Sequence, residues 1–408
     1  MDNNTYSDAA NVTTWVSAPN QRGTMDIIWS SFFTIFLCTW TTMCLNIPPP
    51  NESNIKTLRR RLRWMFMAIT YPEAVFALSI TQYASAKQSV QLFRDLGHTD
   101  WTLKHGFFAD MGGFLLEPLD GTPFAITAHQ LAKLVERQCV EYPNITAEEI
   151  WDKSKADALS KCLSLLQASW LLFQLLGRAI LRLPTSTLEL TTSAIVVCTF
   201  GTFLCWLHKP SDVQKGFVLS ANATTGSILS QADGVLAEPY KSTVADSIRY
   251  GIAIGCYNKS ESTETQFSGL LHFSNNRVNI SAIGDYYLPA IFIANLIFAS
   301  ISMVAWHFTF PTRMEALLWR ISSVVAISVL VFTWIVEVAM IRLENGHWRI
   351  ANGGSKPLPI WWVILKTPLL VLNLAARWFT IVESLVGLRR LPIGVFRIFD
   401  VAQVVPHF

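Results

Sequence analysis

Charged side chains are scarce in this chain: they make up 15% of its 408 residues, whereas a soluble domain carries roughly a quarter. The net charge is only +3, and no basic patch is interleaved with aromatic residues, so the sequence gives no indication of nucleic-acid binding. The motifs GxGxxG, GxxxxGK[ST], HExxH and DDxxD are also missing. Their absence argues against the common nucleotide-phosphate and zinc-hydrolase sites and against cyclisation that begins by ionising a prenyl diphosphate.

Cysteines are few and scattered, and no CxxC pair or Cys/His cluster has metal-ligand spacing. The sequence therefore predicts no metal site and no cofactor. Two cysteines, Cys139 and Cys256, fall in the two long polar segments. In an oxidising compartment they would form a disulfide between these segments, and two unpaired thiols are an equally good interpretation.

Long apolar runs are what the chain does have. A bilayer core of about 30 Å needs about 20 apolar residues in a helix. Seven runs reach that length: 26–46, 64–84, 163–183, 188–208, 286–308, 318–341 and 360–386. The sequence therefore predicts an all-α polytopic membrane protein with about seven transmembrane helices. The first residues lack the apolar core of a signal peptide, so the first span would serve as the targeting signal.

Basic residues between the first two spans set the predicted orientation. Lys56, Arg59, Arg60, Arg61 and Arg63 lie in one short connection, and such clusters stay in the cytoplasm. This arrangement predicts a lumenal or extracellular N-terminus in the endoplasmic reticulum or plasma membrane. The predicted organisation is a polar lumenal segment 1–25, four helices in 26–208 with a lumenal segment 85–160, a lumenal loop 209–285, three helices in 286–386, and a cytoplasmic tail 387–408.

Glycosylation sequons agree with that orientation. Six of them fall on the predicted lumenal side and are candidate glycosylation sites: Asn3, Asn11, Asn144, Asn222, Asn258 and Asn279.

Three carboxyl groups are candidate catalytic acids: Glu73, Asp110 and Glu189. Glu73 lies inside the second apolar run after Pro72, which would kink the helix. Burial disfavours the charged form of a carboxyl group, so Glu73 would be able to act as an acid. The alternative is a helix cap formed by Thr70 and Glu73 where the helix restarts.

The third span carries polar residues on one face. Gln174 and Arg178 are four residues apart, and such residues are neighbours on a helix. One hypothesis is a polar seam in which Arg178 pairs with Glu189 and orients the polar head of a ligand. The alternative is that Arg178 extends to the membrane interface while Ser186 and Glu189 form a capping box.

Two further polar features each allow more than one interpretation. His105 and Asp110, in WTLKHGFFADMGGF, would line the mouth of a pocket, or would belong to an ordinary aromatic turn. Arg377, in the seventh span, is expected to pair with a residue of another span rather than with Glu383, because six residues do not place two side chains on one helix face.

Several segments also carry a family resemblance: RGTMDIIWSSFFTIFLCTWT, WTLKHGFFADMGGF, EIWDKSKADALSKCLSLLQASWLLFQLLGRAI, LELTT with WLHKP, and ESLVGLRRLP with VVPH. In these the chain resembles a large family of multi-pass membrane proteins of filamentous fungi, most of them without an assigned function. The resemblance covers nearly the whole chain. It extends to meroterpenoid cyclases of the macrophorin type.

That resemblance implies an enzyme of fungal secondary metabolism, which protonates the terminal olefin of a lipophilic isoprenoid and folds it into rings. Glu73, Asp110 or Glu189 would then be the proton donor. Two alternatives remain: an accessory membrane protein or transporter of a biosynthetic cluster, and a seven-helix receptor-like sensor. The expected partners are the bilayer and a lipophilic small molecule.

Overall fold

Helices dominate the computed structural model, which describes residues 12–17, 22–49, 52–121, 123–152, 158–224, 228, 287–343 and 360–398. The structure is about 70% helix and 6% strand, which confirms the expected all-α class. The helices are α1 (Thr24–Thr42), α2 (Asn54–Thr70), α3 (Pro72–Asp95), α4 (Leu103–Asp110), α5 (Ala128–Glu136), α6 (Ala147–Asp152), α7 (Ala158–Ile180), α8 (Thr187–Cys205), α9 (Tyr287–Ile301), α10 (Arg313–Leu343) and α11 (Ile360–Val386).

Short strands form two small sheets. They are β1 (Val12–Thr13), β2 (Phe114–Glu117), β3 (Phe124–Ile126), β4 (Phe217–Ser220) and β5 (Leu391–Pro392). In the three-stranded sheet, β2 pairs antiparallel with β3 and parallel with β4. In the other sheet β1 pairs antiparallel with β5, so it joins two segments nearly 380 residues apart in sequence.

Among the described residues, five helical segments are long and apolar enough to cross a membrane: Ser160–Ile180, Thr187–Cys205, Pro289–His307, Arg313–Val336 and Ile364–Arg389. The third of these continues α9 into a 3₁₀ helix, Ser302–His307. The bent pair α2–α3 would make a sixth if it is counted as one span. Large apolar side chains on the outer faces of these helices are exposed, as they are in helices that face lipid.

The second predicted span, 64–84, is not one helix. The chain breaks at Tyr71, and α2 and α3 meet at an angle of 111°. The physical reason is Pro72, because a proline disfavours helical geometry in the residue before it. Tyr71 accordingly has φ −137° and ψ 60°, and α3 begins with the proline.

The helix bundle has two distinguishable ends. At one end, the backbone amide of Thr24 at the start of α1 donates to Val16, and β1 pairs with β5; we call this the terminal end. At the other end, Ile47 follows α1 and donates to Met111. This head end carries a compact unit, the head, made of residues 96–152 and 206–224.

The two small sheets lie at opposite ends of α1. β1 and β5 lie together at the terminal end, while the three-stranded sheet belongs to the head, beyond the far end of α1. A helix of 19 residues is about 28 Å long, so the two ends are well separated.

The head has its own apolar core, which begins at the end of α3. Phe93 stacks on Trp101 with ring centroids 3.9 Å apart, and both are buried beside Phe108 and Phe114. Close contact between α3 and α4 depends on Gly106, where a Cβ would lie 2.9 Å from the carbonyl oxygen of Ala86. The core therefore fixes α3 firmly to the head.

Candidate ligand cavity in the helix bundle

A cavity of about 90 Å³ lies among α3, α8, α9, α10 and α11. Its walls are unusually polar for the inside of a bundle of apolar helices. Seven polar uncharged residues line it: Thr191, Asn295, Ser302, Ser322, Ser323, Asn373 and Thr380. The charged residues Glu73 and Arg377 line it as well.

Glu73 reaches the cavity because of the break at Tyr71. Pro72 starts α3, so Glu73 falls in the first turn of a new helix instead of the middle of an old one. A carboxylate is favoured there by the partial positive charge of the helix N-terminus. The helix start thus positions the carboxylate at the cavity.

Arg377 of α11 forms a two-pronged ion pair with Glu73. Its Nη2 donates to Oε2 over 3.0 Å and its Nη1 donates to Oε1. The side chains are 12% and 13% exposed. Such a fork is the strong geometry for a guanidinium and a carboxylate. The expectation that Arg377 pairs with a residue outside its own helix is confirmed.

Aromatic rings surround the ion pair and the cavity. The guanidinium carbon of Arg377 lies 4.3 Å from the ring centroid of Phe298 and 5.5 Å from that of Tyr71, distances at which a cation is attracted to a ring face. Trp319 is buried at the cavity wall, where its indole donates to the Ser302 carbonyl. The cavity therefore has both polar and aromatic surfaces.

Most of the polar lining groups already donate a hydrogen bond within their own helix. Thr191 donates to Thr187, Ser323 to Trp319 and Thr380 to Arg377. The amide nitrogen of Asn295 donates to the Ile291 carbonyl. These groups keep acceptor lone pairs, so the lining is well suited to a ligand that carries hydroxyl or other hydrogen-bond donors.

Glu189, the second candidate acid, lies outside the cavity lining, and its carboxylate is bound by neighbouring residues of the protein. Its Oε2 accepts from the backbone amide and the hydroxyl of Ser186, and Oε1 accepts from Arg22 at 2.5 Å. The capping box that was the alternative interpretation of Ser186 and Glu189 is therefore present. The carboxylate also links the segment before α1 to the start of α8.

Arg178, a candidate ligand-binding residue, is 1% exposed and is also not among the cavity residues. Its guanidinium donates to four carbonyl groups, those of Pro184, Gly394, Val395 and Arg397. It holds the C-terminal segment through the carbonyl groups of Gly394, Val395 and Arg397. Gln174, one turn earlier, is half-buried and also lies outside the cavity lining.

Asp110 and His105 lie in the head. Asp110 accepts from the Ser85 hydroxyl at 2.6 Å and from the backbone amide of Ala128, the first residue of α5. His105 is buried; its Nε2 is 2.8 Å from the Ile145 carbonyl, and its Nδ1 accepts from the Thr102 amide. Burial lowers the pKa of His105. Asp110 therefore joins α3 to α5, and His105 joins α4 to the segment before α6.

Several other predicted residues lie outside the described residues. They are Asn3, Asn11, Cys256, Asn258 and Asn279. The predicted bridge from Cys139 to Cys256 therefore stays a prediction. Asn144 and Asn222 are exposed, and both lie in the head. In the part of the chain that the structure describes, no group of three or more His, Cys, Asp or Glu residues has metal-site geometry.

A buried lysine in the head, beside α3, was missed by the sequence analysis. Lys209 is 2% exposed; its ammonium donates to Gln82 at 2.8 Å and lies 4.5 Å from the ring centroid of Trp206. Burial lowers its pKa to about 8. The sequence feature that could have indicated this lysine is its position in WLHKP, directly after an apolar run. Phe298 and Trp319 had no such signal, because aromatic residues are common throughout the apolar runs.

The fold and the cavity define an all-α protein in which long apolar helices enclose an ion pair. The chain belongs to a family of unknown function, DUF8562, whose sequence profile matches residues 1–233. That match includes Glu73 and ends before Arg377. No curated protein matches the chain, and no solved structure does.

Proposed function

We propose that the protein is an integral membrane protein with six crossing helices: α1, α7, α8, α9, α10 and α11. Five of these helices contain a segment that is long and apolar enough to cross a membrane. In α1 the only charged residue is Asp26, and Trp29, Phe32 and Phe36 are exposed on its outer face. Six crossings, rather than seven, agree with the pairing of β1 and β5 at one end of the bundle.

The orientation follows from the short connections at the terminal end. They carry Arg182, Arg313, Arg389 and Arg390, and basic residues in short loops stay on the cytoplasmic side. The bases at positions 56–63, from which the sequence predicts the opposite orientation, belong to helix α2 and not to a short loop. The head would then be lumenal or extracellular, and the N-terminus would be cytoplasmic, in place of the lumenal N-terminus expected from the sequence. The endoplasmic reticulum and the plasma membrane both fit.

Glycosylation mapping tests this orientation. Expressed in a eukaryotic host, the protein should carry glycans at Asn144 and Asn222, so each Asn→Gln variant should lose one glycan by gel mobility. Asn11→Gln should change nothing, because its sequon includes Val12 and Thr13 at the terminal end. A glycan at Asn11 but at neither head site would invert the orientation. Glycans at both Asn11 and Asn144 would contradict a crossing by α1.

We further propose that the cavity binds the polar end of a lipophilic small molecule. The observation that carries this proposal is the Glu73–Arg377 ion pair in its wall. Charged residues are costly inside a membrane, and where they occur they commonly mark a ligand or ion path. The acceptor-rich lining favours a hydroxylated head group, such as a phenol.

Size supports binding of the polar end alone. A volume of about 90 Å³ holds a small ring or a few hydroxyl groups, and typical pockets for whole drug-sized ligands are several times larger, about 300–1,000 Å³. The apolar remainder of the ligand would extend between the helices into lipid. A farnesylated phenol has both parts.

Photo-crosslinking tests this binding. Purified full-length protein would be treated with a farnesylated phenol that carries a diazirine on its phenol ring, and the labelled peptides would be mapped. Labelling should fall on α8–α11 and should weaken at least tenfold in Asn373→Leu. Gln174→Leu is the matched control, because Gln174 is a half-buried amide outside the cavity lining. Equal labelling of both variants, or labelling around Gln174, would contradict the proposal.

A second candidate function is the terpene cyclase implied by the resemblance. The observation in its favour is that Glu73, of the three predicted acids, lines the cavity together with Phe298 and Trp319. A proton added to the terminal olefin would generate a carbocation, ring bonds would form, and loss of a proton would give an isomer of the substrate. The ion pair with Arg377 opposes this role, because it stabilises the ionised carboxylate.

Feeding a farnesylated phenol to yeast that expresses the protein separates the two functions. An isomer of unchanged mass, absent with Glu73→Gln, would establish the cyclase. Labelling in the cavity without conversion would support a non-enzymatic accessory protein, transporter or sensor of the same ligand. Conversion that survives in a stably folded Glu73→Gln protein would remove Glu73 as the acid.

A further inference from the structure

Helix α2 presents a surface that the cavity does not use. It lies nearly perpendicular to α3, at 111°, and its first turns lie at the head end, where Arg61 donates to the Trp40 carbonyl of α1. Trp64, Met67 and Ala68 form its inner face, where they are buried against Met43 and Trp206. The helix is therefore fixed to the protein on this side.

An apolar stripe runs along the open side of α2. Ile55, Leu58, Leu62 and Phe66 recur at intervals of three and four residues, which places them on one face of the helix. All four are exposed, Ile55 by 70% and Phe66 by 56%. A large apolar stripe on a helix at the end of a bundle is what a helix lying in a membrane interface presents.

A row of bases adjoins the stripe. Lys56, Arg59 and Arg63 are exposed, and none has an ion-pair partner among the described residues. Two other arginines of α2 are already engaged: Arg60 pairs with Glu52, and Arg61 pairs with Asp212. The open side of α2 therefore keeps three uncompensated positive charges beside its apolar stripe.

We propose that α2 is an interfacial helix that binds the headgroups of anionic phospholipids at the head end of the bundle, in the leaflet that the orientation proposed above makes lumenal or extracellular. The apolar stripe would lie among the acyl chains, and Lys56, Arg59 and Arg63 would contact phosphate groups. Charge complementarity selects this occupant, because a base near an anionic membrane surface contributes about 1 kcal/mol of attraction. A zwitterionic lipid surface offers no net charge to these three bases.

Lipid titration of the full-length protein tests the site. Purified protein in a non-ionic detergent would be titrated with dioctanoyl phosphatidylglycerol and with dioctanoyl phosphatidylcholine, and binding would be followed by native mass spectrometry. The wild type should prefer the anionic lipid. Arg59→Gln/Arg63→Gln should weaken its binding ~25-fold, which is about 1 kcal/mol for each charge removed.

The control removes the same charge elsewhere. Lys87→Gln/Arg94→Gln changes two exposed bases on α3 and should leave the lipid preference unchanged. Equal affinity of the wild type for both lipids would overturn the proposal, and so would an equal loss in both double variants. Binding of a soluble polyanion such as heparin that depends on Arg59 and Arg63, with unchanged lipid affinity, would assign the surface to a different partner.

Discussion

Replacing Arg377 with methionine should lower the free energy of unfolding by about 3–5 kcal/mol. The substitution leaves Glu73 buried without its guanidinium partner, and an uncompensated buried charge is costly to that extent. The loss would be measured by denaturant unfolding of the purified protein in mixed micelles. Lys87→Gln, an exposed change on the same helix as Glu73, should alter the free energy by less than about 0.5 kcal/mol.

A double-mutant cycle separates the ion pair from general damage to the cavity. Glu73→Gln alone should also destabilise, because Arg377 would then be the unpaired charge. In Glu73→Gln/Arg377→Met neither charge remains, so the combined loss should fall short of the sum of the single losses by about 2 kcal/mol. Strictly additive losses would show that the two side chains do not stabilise each other.

Replacing Arg178 with methionine should lower the free energy of unfolding by about 4 kcal/mol. Four carbonyl groups lose a charged donor, and each buried acceptor left without a donor costs about 1–3 kcal/mol, partly offset where local relaxation restores a partner. Hydrogen exchange should rise at residues 391–397 and also at 12–17, because β1 pairs with β5. Denaturant unfolding would measure the loss of stability, and hydrogen exchange would show which residues lose protection.

Arg182→Met is the matched control for that experiment. Arg182 lies one turn after Arg178 and is exposed, so its removal should change neither unfolding nor exchange. If exchange at 12–17 stays at the wild-type level in Arg178→Met while exchange at 391–397 rises, the two short strands are held independently. The view of Arg178 as the link between the chain ends would then be wrong.

Local features of the site could be predicted from the sequence. Pro72 marks a helix break on steric grounds alone, and Ser186 with Glu189 has the spacing of a capping box. The position of Arg377, six residues from Glu383, excluded a pair within its own helix. In each case the prediction depends only on residues that are close together in the sequence, so the local sequence is sufficient to make it.

The cavity and the topology could not be predicted in this way. Glu73 and Arg377 are 304 residues apart, and no local pattern says which of several apolar helices is adjacent to α3. The basic residues around Arg59 were interpreted as a connecting loop, whereas they belong to the helix α2. Apolar residues at intervals of three and four in this segment predict a helix. The interpretation as a loop was based on the cluster of basic residues and did not use that pattern.

The pairing of the chain ends has a consequence for biosynthesis. Three of the four acceptors of Arg178 belong to residues 394–397, so α7 is synthesised long before these acceptors emerge from the ribosome. Until then Arg178 lacks these acceptors, and β1 lacks its partner strand β5. A chain that stops short of Leu391 therefore lacks two features at once: the strand that pairs with β1 and three of the four carbonyl acceptors of the buried Arg178.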